Sequence, residues 1–149
     1  MFARTFPYLL PLKRIIPAVH LAVYRATNGR LSSKLKGQHM LLLTTKGRHT
    51  GQRRTVPLLY VPDGDDMIVI GSNWAGPKSP GWYWNLLADP HARAQAGRRK
   101  TKVTAHVVTA EERPRIWSLV TEQYLPYKDY MARTESIREI PLVVLTPRQ

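Results

Sequence analysis

The residues most suited to chemistry lie in one short basic segment, residues 46–54. Four of its nine residues are Lys or Arg, and two are glycines. Glycine permits a sharp turn and a close approach of the backbone to a ligand, and successive turn amides can form a nest that binds an anion. The segment therefore predicts an anion site. Its candidate ligands are Lys46, Arg48, His49, Thr50, Gly51, Arg53 and Arg54.

An exposed basic hairpin is the alternative that the residues alone leave open. Two like charges about 4 Å apart repel by ~4 kcal/mol at an effective dielectric constant of ~20, so a bound anion would offset a real cost. Charges that spread into solvent are instead screened beyond ~8 Å. The segment is not a nucleotide-binding P-loop, because its glycines lack the required spacing and a following Gly-Lys.

A second candidate group follows an apolar stretch in the middle of the chain. Ser72 and Asn73 could hydrogen-bond the carbonyl groups of a flat ring, and the aromatic-rich residues 80–86 come next. Trp82 and Leu86 are four residues apart, which places them on one face of a helix. Packing in the core is therefore the favoured interpretation for Trp82.

Three tyrosines form a third candidate group near the C-terminus. Tyr124, Tyr127 and Tyr130 are spaced three residues apart, so their rings share one face of a helix or turn. Such a row of phenols can line an amphipathic pocket. Surface or packing tyrosines are the alternative if this group is taken by itself.

The composition excludes several other kinds of chemistry. The chain has no cysteine, which removes disulfides, thiol catalysis and thiolate metal sites. None of its five histidines has a partner four residues away, as a helical metal pair requires, so no metal is expected. The formal net charge is +13, and the first acidic residue is Asp63. A field of one sign concentrates anions, which makes an anionic partner the main expectation.

Alternating apolar residues and turn residues predict six short strands, mostly joined as hairpins. A capping box of Thr109 and Glu112 opens a helix that runs to about Gln123. Many hairpin-linked strands with helices beside them favour an α+β fold, a small barrel rather than an open parallel sheet. The predicted strands are residues 40–45, 53–61, 67–71, 91–95, 100–108 and 140–145, the β-hairpin turn between the second and third is Asp63-Gly64, and the other predicted helices are residues 17–28, 81–87 and 127–133.

The chain divides into a single domain, residues 17–149, and a basic, apolar N-terminal segment, residues 1–16. That segment could lie on an anionic membrane surface, or it could pack on the barrel. No apolar stretch approaches the ~20 residues that span a bilayer. We therefore expect a cytoplasmic protein, with peripheral contact at the inner face of the plasma membrane as the open question.

The three candidate groups occur together, and in this order, in a known family. The chain resembles the deazaflavin (coenzyme F420)-dependent nitroreductase family of actinobacteria over about residues 23–147. The resemblance is carried by Leu-Leu-Leu-Thr-Thr-Lys-Gly-Arg-His-Thr-Gly from Leu41, Pro-Leu-Leu-Tyr from Pro57, Ser72, Pro-Gly-Trp-Tyr-Trp-Asn-Leu from Pro80, and the tyrosine triplet.

The resemblance implies a split β-barrel that binds F420, whose phosphodiester and oligoglutamate tail would supply the anion. By similarity, the basic turn would hold the phosphate and tail, with His49 at a position where the family often has Lys. Ser72, with Pro57, Asn73, Trp82 and Asn85, would border the ring. The tyrosines would line the substrate side, and Ser72 or Tyr130 would position the acceptor or relay a proton.

The activity implied by the resemblance is hydride transfer from reduced F420 to an electron-poor small molecule, a quinone or a nitroaromatic compound. The alternatives are a non-catalytic deazaflavin carrier and a nucleic-acid-binding barrel. The chain lacks the aromatic–basic strand motif of RNA-recognition domains, so no nucleic acid is expected. Split barrels often pair, so a homodimer is compatible with the fold.

Overall fold

The computed structural model describes residues 34–35, 38–72, 78–123, 132 and 138–148. The described residues form seven strands and two helices. The strands are β1 Lys34–Leu35, β2 Gln38–Lys46, β3 Arg53–Asp63, β4 Asp66–Ile70, β5 His91–Ala96, β6 Arg99–Val107 and β7 Leu142–Pro147. The helices are α1 Gly81–Ala88, between β4 and β5, and α2 Arg113–Gln123, between β6 and β7.

The strands form one antiparallel sheet that closes on itself. Their order is β1-β2-β3-β4-β7-β6-β5, and β2 also pairs with β5. Closure therefore produces a six-stranded barrel from β2 to β7, with β1 added at one edge. The predicted α+β split β-barrel is confirmed. Strand β1 was not predicted, because it is only two residues long.

The core has two parts because successive side chains of a strand point to opposite faces of the sheet. One part fills the barrel, where Leu41 and Leu43 of β2 meet Val103 and Leu145. The other lies between the sheet and α2, where Ile68 and Val144 pack against Ile116 and Val120. Burying these aliphatic side chains stabilises the fold by about 2 kcal/mol each.

Glycines in the left-handed conformation make three of the hairpin turns. Gly51 follows β2 with φ 71°, Gly64 follows β3 with φ 60°, and Gly97 follows β5 with φ 62°. Asp63 pairs with Asp66 across the second turn, so its two turn residues are Gly64 and Asp65. The prediction of an Asp63-Gly64 turn was wrong by one residue, because Asp63 still belongs to the strand ladder.

The predicted capping box is present before α2. The Thr109 amide donates to Glu112 Oε2 at 3.1 Å, and the Glu112 amide donates to Thr109 Oγ1 at 3.2 Å. The hydrogen bond from the Thr109 backbone lowers the pKa of Glu112 below its ordinary value. Arg113 Nη1 donates to Ile140 O at 2.9 Å, which ties the start of α2 to the segment before β7.

Several predicted elements lie outside the described residues. These are the N-terminal segment 1–16, the helix at residues 17–28 and, apart from the helical Ala132, the helix at residues 127–133. Within the part of the chain that the structure describes, no helix has the length and apolar character needed to cross a membrane.

Candidate functional site

The basic turn between β2 and β3 is closed by its own backbone. The Gly47 amide donates to Gln52 O at 2.7 Å, and the Gly51 amide donates to Gly47 O at 2.8 Å. The Gln52 amide donates to Thr50 Oγ1 at 3.2 Å. A Cβ atom on Gly47 would lie only 3.0 Å from Gln52 O. These three amides already have partners within the turn, so they are not available to a ligand.

Arg48 points away from the turn and toward helix α1. Its backbone amide donates to Asn85 Oδ1 at 3.2 Å, and its Nη1 donates to the same oxygen at 3.0 Å. Nη1 also lies 3.3 Å from Gly81 O at the start of the helix. Both ends of the residue are thus held by one amide side chain.

Asn85 is itself held by a hydrogen bond to the barrel wall. It is only 6% exposed, and its Nδ2 donates to Thr45 Oγ1 at 3.0 Å. Thr45 belongs to β2 and is 2% exposed. A chain of hydrogen bonds therefore runs from the barrel wall through Asn85 to the Arg48 guanidinium, and it locks the orientation of that cation.

Arg48 opens into a pocket of about 450 Å³ beside the N-terminus of α1. Among the residues that the structure describes, three cations line the pocket and no acidic side chain does. The ring of Trp84, which is 44% exposed, supplies apolar surface next to them. Low-dielectric walls with charge of one sign concentrate anions. The lining residues are Arg48, Lys78, Ser79, Gly81, Trp84 and Arg138.

Arg138 connects this pocket to the end of β4. Its Nη2 donates to Gly71 O at 2.9 Å and to Ser72 O at 2.8 Å, and its Nη1 lies 3.4 Å from Ser79 Oγ. The Gly71 amide donates to Pro141 O at 2.9 Å. Half-buried Ser72 therefore adjoins the pocket, joined to it through the guanidinium group of Arg138.

The remaining cations of the basic turn form a separate, outer group. Lys46 and Arg53 face each other as partners across β2 and β3, and Arg54 is opposite Thr45. All three cations are exposed, as is His49. Among the described residues none of them lies in an ion pair. Directly opposed like charges destabilise a sheet, so a bound anion would stabilise this end of the hairpin.

The other predicted residues lie in the barrel core, on strand β3 or outside the described residues. Trp82 is 7% exposed and packs in the barrel core, which confirms the favoured interpretation of that residue. Pro57 is half-buried on β3, opposite Leu42. Asn73 and the tyrosines Tyr124, Tyr127 and Tyr130 lie outside the described residues.

Five pocket residues had not been predicted as site residues: Lys78, Ser79, Gly81, Trp84 and Arg138. A sequence signal exists for the first two, because they stand directly before Pro80, which is the N-cap of α1. Arg138 had no such signal, since it is far from the other pocket residues along the chain.

Comparisons with known proteins agree with one another. The profile of the F420H(2)-dependent quinone reductase family matches residues 17–147. An F420H(2)-dependent quinone reductase of Mycobacterium tuberculosis (strain ATCC 25618 / H37Rv) is 41% identical over 134 residues, which cover 87% of this chain and 89% of the relative.

Two solved structures are also similar. An F420-H2 dependent reductase has a TM-score of 0.63 at 34% identity, covering 71% of this chain and 92% of that one. A protein described as a domain-swapped dimer has a TM-score of 0.67 at 29% identity, covering 91% and 98%. The region matched by the family profile contains every candidate site residue.

Proposed function

Because the chain belongs to the F420H(2)-dependent quinone reductase family, we propose that it transfers a hydride from reduced F420 to a quinone. The match confirms the predicted F420-dependent reductase class and its cofactor. The structural observation that carries the site assignment is the three-cation pocket that adjoins Ser72.

The chemistry of the pocket fits the anionic part of F420. Guanidinium groups bind phosphate and carboxylate oxygens through paired, charge-assisted hydrogen bonds. Arg48 and Arg138 bring two such groups to one pocket, and Lys78 adds an ammonium. When bound, the deazaflavin ring supplies the hydride. The protein supplies binding, orientation and exclusion of water.

Each group of residues has its own task in this proposal. Arg48, held by Asn85, grips the charged group nearest the ring. The outer group binds the more distant charges of the tail through Lys46, His49, Thr50, Arg53 and Arg54, on a turn shaped by Gly51. Ser72, Asn73 and Pro57 border the ring, while Trp82 and Asn85 support the wall behind it.

The acceptor lies on the side of Ser72 and the tyrosines in this proposal. Reduction of a quinone takes a hydride and a proton, so the site needs a group that can pass a proton to the acceptor oxygen. Ser72 and Tyr130 are the proposed catalytic residues for that step, and Tyr124 and Tyr127 line the acceptor side. Nitroaromatic compounds stay a predicted second class of acceptor.

A spectrophotometric assay of reduced F420 against a panel of quinones and nitroaromatic compounds tests the function. We expect F420 binding at micromolar concentration and oxidation of the reduced cofactor that depends on a quinone. Binding without turnover on any acceptor would make the protein a deazaflavin carrier. No F420 binding in a fluorescence titration, together with tight retention of nucleic acid in a gel shift, would overturn the proposal.

A homodimer is also proposed. Trp84 and Leu87 of α1 are 44% and 50% exposed, and they lie one helical turn apart. A similar structure is described as a domain-swapped dimer. Light scattering of the purified chain should give twice the 17.1 kDa chain mass. A monomer mass at assay concentrations would end this proposal.

We further propose that the protein binds anionic membrane surfaces peripherally, where quinones dissolve. The β5–β6 hairpin supports this, because residues 91–108 contain five Lys and Arg and no acidic residue. Arg93 and Lys102 are direct partners across it, and both are exposed. Such cations each contribute ~1 kcal/mol at an anionic surface.

Vesicles test the membrane proposal. Replacing Arg98 and Arg99 by Ser should weaken binding to phosphatidylserine vesicles by about 30-fold, since two cations are lost. Removal of residues 1–16 tests the N-terminal segment in the same assay. A wild-type protein that binds anionic and neutral vesicles equally, or variants that bind anionic vesicles as strongly as the wild type, would refute the proposal.

A further inference from the structure

Arg138 makes hydrogen bonds to two consecutive backbone carbonyls, those of Gly71 and Ser72. The distances from Nη2 are 2.9 and 2.8 Å. Its Nη1 lies 3.4 Å from Ser79 Oγ and 3.4 Å from Glu139 O. One side chain thus touches the end of β4, the segment before α1 and the segment before β7.

The Gly71-Ser72 backbone is also held from its opposite edge. The Gly71 amide donates to Pro141 O at 2.9 Å. A Cβ atom on Gly71 would lie 2.6 Å from Pro141 Cγ, so the strand end packs directly against the proline ring. Ser72 therefore follows a residue whose amide and carbonyl are both fixed, which limits the directions its side chain can take.

We propose that Arg138 is a positioning residue for the hydride-transfer site. It fixes the Ser72 backbone, and hence the Ser72 hydroxyl, in relation to the anion pocket that the same guanidinium lines. This inference rests on the proposed role of Ser72 in the reaction. It adds a residue whose task is alignment rather than contact with the reacting atoms.

The contacts of Arg138 also couple anion binding in the pocket to the alignment of the Gly71-Ser72 backbone. An anion in the pocket attracts the Arg138 guanidinium and favours the orientation that points toward it. That orientation is the one that holds both carbonyls. Cofactor binding should therefore order the Gly71-Ser72 backbone, and loss of Arg138 should uncouple the two events.

The control is Arg113, which also donates to a backbone carbonyl of the segment before β7. Arg113 Nη1 donates to Ile140 O at 2.9 Å and lies 3.3 Å from Glu139 Oε1, and Arg113 does not line the pocket. Arg138→Met and Arg113→Met should lower Tm by similar amounts. Only Arg138→Met should lower kcat at saturating reduced F420, by about 10- to 100-fold, since small misplacements cost rates of that size.

A double-mutant cycle tests whether Arg138 affects kcat through Ser72 or through another part of the site. If Arg138 acts by positioning Ser72, then Arg138→Met has little further effect on kcat in a Ser72→Ala background. Arg138→Lys should restore stability better than it restores kcat, because an ammonium is a compact point charge without the planar fork of donors. If the fold-losses of kcat in the two single variants multiply in the double variant, the positioning role is overturned.

Hydrogen exchange supplies a readout that needs no turnover. Amide exchange at Gly71 and Ser72 should accelerate in Arg138→Met and stay unchanged in Arg113→Met, in protein without cofactor. Adding F420 should slow exchange at those amides in the wild type and in Arg113→Met, but not in Arg138→Met. Unchanged exchange in Arg138→Met would overturn the inference, whereas a wild type that oxidises no reduced F420 would overturn the proposed function instead.

Discussion

Replacing Asn85 by Leu should damage both stability and cofactor binding. Leu has nearly the same shape but removes an acceptor for Arg48 and the donor to Thr45. The Thr45 hydroxyl is 2% exposed, so water cannot replace its partner. An unsatisfied buried group costs about 1–3 kcal/mol, and the lost bonds to the partly exposed Arg48 add about 1 kcal/mol.

The expected loss is therefore about 3 kcal/mol in the free energy of unfolding, measured by urea denaturation. In a domain of this size that corresponds to a fall in Tm of ~10 °C. F420 binding should weaken by about 10-fold, because the Arg48 guanidinium loses the bond that orients it, at ~1.4 kcal/mol per factor of ten.

A second variant tests the reasoning directly. Thr45→Val removes the hydroxyl that Asn85→Leu leaves unpaired. Replacing both partners of a buried hydrogen bond by apolar groups is often nearly neutral. The double variant should therefore be at least as stable as Asn85→Leu alone, while its F420 affinity stays low. If the two losses of stability simply add, Asn85 and Thr45 are not the coupled pair described here.

Three further outcomes are expected. Arg54→Ala should weaken F420 binding and flatten its dependence on salt, because one cation facing the tail is lost; an unchanged affinity and slope in fluorescence titrations would remove Arg54 from the site. Gly51→Ala should destabilise the protein by about 1–2 kcal/mol in urea, because φ is 71° there. Gly81→Ala, where a Cβ atom meets open space, should not destabilise it. The lowered pKa of Glu112 means that its charged form stabilises the fold at a pH above the ordinary carboxylate pKa, and that this stabilisation is lost as the pH falls through the lowered pKa. Glu112→Gln should remove this dependence on pH. Thermal melts across the acid range that coincide for the two proteins would contradict the capping-box argument.

The barrel was predictable because its signals are local. Strands β2 to β7 were placed within one or two residues by alternating apolar side chains and by glycines at the turns. Which two strands close the barrel could not be deduced, because no local pattern links Leu43 of β2 to Ala94 of β5, its partner across that ladder. Strand β1 has too few residues to show the alternation of apolar and polar side chains that marks a strand.

The arrangement of the basic residues was less predictable than the fold. Crowded cations predicted an anion site, but only the fold separates Arg48 from the outer cations. Sequence spacing placed Arg48 in one turn with Arg53 and Arg54, whereas its contacts are with Asn85 and Gly81 of α1. Side chains brought together by tertiary packing carry no spacing signal, which is why Arg138 was missed.

The hydrogen bonds of Arg48 suit a residue that is proposed to bind an anion. The described hydrogen bonds of Arg48 end on an amide oxygen and a backbone carbonyl. Neutral acceptors orient a guanidinium without cancelling its charge, whereas a carboxylate would do both. In the proposed function, Arg48 is therefore fixed in orientation and keeps its charge for the anionic part of F420, so that its binding needs little reorganisation.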